Sequence, residues 1–153
     1  MVIADTELET LYNEGRFSPL TVEEAVAITA PAVKRFAKKG IKIIRMGLHS
    51  SDLSHNSGVI AGPYHPSFGE LVMQRLCLEE ARRQIRYLSP QKGDSILIET
   101  GRGGFSRMTG QKRANLRMIE EEFGIKVSVS EDLSRDVKKE ECGLPQLKIT
   151  LKK

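Results

Sequence analysis

Two short signatures constrain this chain most. Thr21-Val-Glu-Glu24 and Ser67-Phe-Gly-Glu70 each place a hydroxyl residue three positions before a glutamate, directly ahead of an apolar run. In such a capping box each side chain satisfies a free amide of the first helical turn, so both sites predict helix starts. After Thr21, the residues Val22, Ala25, Val26, Thr29, Val33, Phe36 and Ala37 recur at three- and four-residue steps and make one buried face. Pro31 predicts a kink and Gly40 the end of this helix. After Ser67, the residues Phe68, Leu71, Val72, Leu76, Ala81 and Ile85 predict a second long helix that runs to Leu88.

Strands and turns fill the remainder. Val2-Ile3-Ala4 reads as the tail of a strand, and a short polar helix is expected over 7–14, closed by Gly15. Residues 41–48 are short, apolar and β-branched, which suits a strand. Strand, helix and strand make a βαβ unit, hence parallel pairing. Residues 49–66 read as loop and 90–93 as a turn. A strand is expected over 95–100, a Gly-rich junction over 101–104, a helical turn over 105–109, a helix over 111–123 and a strand over 125–130. A polar stretch, 131–145, precedes a last strand over 146–151, expected to pair antiparallel with the one before it. The fold class is therefore α/β, divided at 1–50, 51–93 and 94–153.

Aliphatic residues must build the core, because aromatics are only 5% of the 153 residues and Trp is absent. The net charge of +4 permits nucleic-acid contact without demanding it. Cys77 and Cys142 form no CxxC pair, and no disulfide framework is expected. A reducing cytoplasm is the expected location. No run of the sequence is long and apolar enough for a bilayer, so no membrane partner is expected. His49, His55 and His65 share one loop-rich region, but their spacing fits no zinc pattern, and no metal site is expected. No GxSxG elbow supports a hydrolase, and no catalytic residue is assigned.

The run Thr6-Glu-Leu8, Gly15-Arg-Phe-Ser-Pro-Leu20 and Glu23-Glu24-Ala25 resembles the end of the radical-SAM barrel in two groups. These are the oxygen-independent coproporphyrinogen III oxidase-like proteins and the bacterial Elongator catalytic-subunit-like proteins. Ala61-Gly-Pro-Tyr-His-Pro-Ser-Phe68 resembles the region after the barrel in the second group. The resemblance implies a parent barrel with a [4Fe–4S] cluster and S-adenosylmethionine, held by a CxxxCxxC loop that this sequence lacks. It therefore implies no cofactor in this fragment and an N-terminal radical-SAM barrel as its partner. Ligands in parallel α/β units sit beyond the carboxyl ends of strands, so Arg45, Gly47 and His49 are expected to border that barrel's site.

The stretch Met108-Thr-Gly110-Gln-Lys-Arg113-Ala-Asn-Leu116-Arg-Met-Ile119, with Gly124-Ile-Lys-Val127, resembles the KH RNA-binding motif, a βααβ unit. The motif's second loop glycine is Arg113 here. Helix N-terminal amides and flanking cations cradle a nucleic-acid backbone. Arg107, Gly110, Gln111, Lys112, Arg113 and Arg117 are accordingly the expected RNA-binding residues. The expected function is the C-terminal part of a radical-SAM iron–sulfur oxidoreductase with an RNA-binding tail, tRNA being one candidate. The alternative is part of a coproporphyrinogen III oxidase-like enzyme of porphyrin biosynthesis with a purely structural tail. Self-association through the strand over 41–48 is a further expectation.

Overall fold

The computed structural model describes residues 1–48, 58–132 and 146–152. The element order is β1 (Val2–Ile3), α1 (Glu7–Asn13), α2 (Val22–Lys38), β2 (Val59–Ala61), α3 (Phe68–Leu88), β3 (Ser95–Thr100), α4 (Gly104–Thr109), a 3-10 turn (Gln111–Arg113), α5 (Ala114–Phe123), β4 (Lys126–Glu131) and β5 (Leu147–Lys152). The chain is of the α/β class, and a small α+β unit follows the helical front. Among the described residues, no helix is long and apolar enough to cross a membrane.

The first capping box forms as the sequence predicts. The Glu24 amide donates to Thr21 Oγ1 at 3.2 Å, and the Thr21 amide donates to Glu24 Oε2 at 2.8 Å. Helix α2 continues through Pro31 and buries Ala25, Val26, Ala30 and Val33 against α3. The second capping box does not form. Ser67 makes no side-chain cap, its amide donates to His65 Nδ1 at 3.0 Å, and the Glu70 carboxylate is bound to Arg107.

Residues 41–48 are not a strand, and the expected parallel βαβ unit is absent. Strand β1 pairs antiparallel with β2 instead, with Val2 opposite Ala61 and Ile3 opposite Val59. A strand needs a neighbour for its backbone donors and acceptors, and none of the described strands lies beside 41–48. Its side chains divide accordingly: Ile43 and Met46 pack on the α2–α3 core, whereas Ile44 points outward.

The second sheet has the order β4-β3-β5. The two last strands thus do not pair with each other. Strand β3 lies between them, parallel to β4 and antiparallel to β5. It is the strand with two fully buried isoleucines, Ile96 and Ile98, and burial on this scale favours the central position. Helices α4 and α5 form the crossover that parallel pairing requires.

Helix α3 serves two cores. Phe68, Val72, Met73 and Leu76 pack with α2. Cys77, Leu78, Ala81 and Ile85 pack with Ile96, Ile98, Met108, Leu116, Ile119 and Val127 of the sheet unit. The changeover falls between Leu76 and Cys77.

Candidate nucleic-acid interface

The site is built at the top of β3. Beyond Thr100 the chain must turn at once into α4, and Gly104 lets it do so: a Cβ there would lie 2.8 Å from Thr100 Cβ. Gly103 adopts a φ of 75° and gives its amide to the Glu131 carboxylate. The Gly-rich junction is thus a tight turn fastened to β4.

Helix α4 ends at Gly110, whose φ of 72° and ψ of 170° belong to a region that side-chain-bearing residues avoid. The next two residues after Gln111 are left-handed without being glycine: Lys112 at φ 50° and Arg113 at φ 62°. The helix expected from Gln111 therefore starts only at Ala114, with Arg113 in the cap position and no side-chain cap. Two consecutive left-handed residues cannot continue a right-handed helix.

Asn115 holds this shape. It is 5% exposed, and its Nδ2 donates to the Gln74 carbonyl at 3.0 Å and to the Arg107 carbonyl at 3.2 Å. It ties the end of α4 to α3. A Cβ on Gly110 would come within 3.1 Å of Asn115 Cγ. The Arg117 guanidinium donates to the Lys112 carbonyl, closing the loop from the other side.

The expected RNA-binding residues divide into two groups. Gln111, Lys112, Arg113 and Arg117 are exposed around the loop, and Gly110 forms its hinge. Arg107 points elsewhere. Its Nε and Nη2 donate to the two Glu70 oxygens, both at 3.0 Å, so its fork is filled by a carboxylate. The hydrogen bond from Arg107 holds the Glu70 carboxyl below its usual range, against a smaller opposing effect of burial. This pair lines a cleft of about 690 Å³ together with Val33, Ile43, Met46 and Met73.

Arg45 is exposed near the end of the 41–48 segment. Gly47 is left-handed at φ 82° and sits against Phe68, where a Cβ would meet that ring's Cβ at 3.0 Å. His49 lies outside the described residues. Sequence reasoning missed Asn115 and Glu70. Asn115 gave one signal, a polar residue amid an otherwise apolar helix face. Glu70 gave none, because its partner is 37 positions away.

Among the described residues, no group of three or more His, Cys, Asp or Glu could hold a metal ion, and Cys77 is buried in the core. These residues do not fit an iron–sulfur cluster.

Fold and site together define an α/β chain with two cores strung on one helix and a basic left-handed loop beside it. The chain belongs to the radical-SAM C-terminal domain family, whose model matches residues 1–77, just over half of the 153. The match ends at the residue where α3 passes from one core to the other. No curated protein and no solved structure matches the chain.

Proposed function

We propose that this chain is the C-terminal part of a radical-SAM iron–sulfur oxidoreductase, that its apolar flank docks on the barrel, and that its KH-like tail holds RNA at the loop from Gly110 to Arg113. The observation that carries the docking is residue Ile44, 92% exposed in a segment whose composition suits a strand. Ile28, Phe36 and Ile41 are 62%, 45% and 52% exposed in the same part of the chain. Apolar area of this kind calls for a covering partner. The cluster and S-adenosylmethionine are assigned to that barrel.

The RNA reading rests on the loop. Lys112, Arg113 and Arg117 are exposed at one end of α5. The first turn of a helix leaves amides without intrahelical partners, and its dipole favours an anion. Such contacts position a backbone without reading bases. Glu120 accepts the Val127 amide at 3.0 Å, and Glu122 is paired with Arg82 and Arg86.

The test is a titration of bulk tRNA at several salt concentrations with wild type and Lys112→Glu/Arg113→Glu. The double variant should lose affinity for all RNA alike, with a salt slope flatter by about two units or less. Unchanged binding by the variant would place the site elsewhere. No binding by wild type would leave the tail as a structural unit, as the coproporphyrinogen oxidase-like reading has it.

A further inference from the structure

We propose that the cleft between the end of α2, residues 40–46 and the start of α3 binds a small amphipathic monoanion, its apolar body on the floor and its carboxylate, or a like group, at Lys42. The site is independent of the RNA reading and of docking on a barrel.

The cleft has about 690 Å³, within the roughly 300 to 1,000 Å³ typical of small-molecule sites. Its floor is apolar. Val33 and Met73 are buried in the α2–α3 core, and Ile43 and Met46 pack against that core from the cleft. Two of these four are methionines, whose unbranched, polarizable side chains adapt to a guest more readily than branched ones. The polar lining residues lie further out: Lys42, Ser67 and Glu70 are exposed, and Arg107 is partly so. Such a cleft suits a molecule with one apolar end and one polar end.

The charge of the polar end follows from the lining. Glu70 and Arg107 are engaged with each other in a bidentate pair, both bonds at 3.0 Å, and present no net charge. Lys42 is different: among the described residues it has no carboxylate partner. Its flexible four-carbon stem carries a compact ammonium that an anion can meet without displacing any ion pair. Ser67 Oγ caps no amide and offers a further hydrogen bond.

Gly69 keeps the cleft open. It lies inside α3 and is not left-handed, so its backbone does not require glycine. Packing does not require it either: a Cβ there would lie 3.6 Å from Met46 Cβ and Cε, an ordinary contact. Glycine is also among the weakest helix formers. What the missing side chain leaves is space beside Met46, in the cleft wall.

The test titrates the whole chain with anilinonaphthalene sulfonate, an apolar monoanion that fluoresces when shielded from water, and displaces it with octanoate or octylammonium. Octanoate should displace the probe at a concentration about fivefold or more below that of octylammonium, the scale of an exposed ion pair. From hexanoate to octanoate, affinity should rise about three- to fourfold per methylene. Gly69→Leu should abolish this binding and melt no lower than wild type. Lys42→Glu should reverse the order of the two octyl compounds without changing the melting temperature. Ile28→Lys/Ile44→Lys, on the exposed flank outside the cleft, should bind as wild type does. Equal displacement by both octyl compounds overturns the proposal, as does binding that survives Gly69→Leu. Loss of binding in the flank variant overturns it too, because the probe then sits on the flank. So does a wild type that binds no probe. Should Gly69→Leu fail to fold, Lys42→Glu, at an exposed position, decides by whether the order reverses.

Discussion

Lys112 and Arg113 occupy a conformation that costs side-chain-bearing residues about 1 to 2 kcal/mol each. Strain of this kind persists only where the surroundings impose it. Here Gly110, Asn115 and the Arg117 bond to the Lys112 carbonyl impose it. Stability and cation supply can therefore be separated at one position. Arg113→Gly relieves the left-handed strain at a cost in chain entropy of about 0.5 to 1 kcal/mol. Urea denaturation should show stability unchanged or raised by up to about 1 kcal/mol. RNA affinity should fall, with a salt slope flatter by about one unit. A variant that loses stability and binding together would show that the arginine side chain holds the loop. The sequence marked the cations at this loop but not its shape. Non-glycine residues rarely turn left-handed, and no local pattern announces two in succession.

At the scale of elements, the sequence was legible wherever the determinants were local. Helices α2 and α3 lie where apolar periodicity put them, and β3 spans the residues that its composition marked. What could not be read were pairings decided at long range. Residues 41–48 have the composition of a strand, but a strand forms only against a neighbour. The capping box at Ser67 has the right spacing, but His65 takes the Ser67 amide and Arg107 takes the Glu70 carboxylate. Ion pairs along α3, one of them to Lys34 of α2, also give it a pH dependence. Burial alone would raise the Glu79 carboxyl, but bonds from Arg75 at 2.8 Å and Lys34 at 2.6 Å outweigh it and hold it below the usual 4.5. Glu80 is lowered as well, chiefly by Arg83. A depressed carboxyl contributes stability above its unfolded value and loses it as pH falls through the folded one. The urea midpoint should therefore hold from about pH 7 to about 5 and fall below about 4.5. Glu79→Gln should lower it at neutral pH and make the acid fall shallower, because the charged bond from Lys34 on α2 to this carboxylate is then lost. An identical acid profile in wild type and variant would remove Glu79 from this account.

Over the whole molecule, α3 makes the two cores one object. Val72 and Leu76 are fully buried on the α2 side, and Ala81 and Ile85 are fully buried on the sheet side, all on one continuous helix. On the α2 side, Ile28, Ala32 and Phe36 form an i, i+4, i+8 row beside the outward Ile41 and Ile44. None of these five is needed to fill the α2–α3 core, whose buried members are other residues. The row should therefore be sticky without being structural. Ile28→Lys/Ile44→Lys should change the stability of the isolated chain by less than about 0.5 kcal/mol, as surface substitutions do. In sedimentation velocity, wild type should associate as its concentration rises, and the double variant should remain monomeric. The same variant should lose binding to a radical-SAM barrel supplied separately while keeping its affinity for tRNA, because the basic loop lies on the other core. Wild type that stays monomeric at every concentration, with barrel binding equal in both forms, would show that this flank needs no cover. The docking reading would then have to rest on another face.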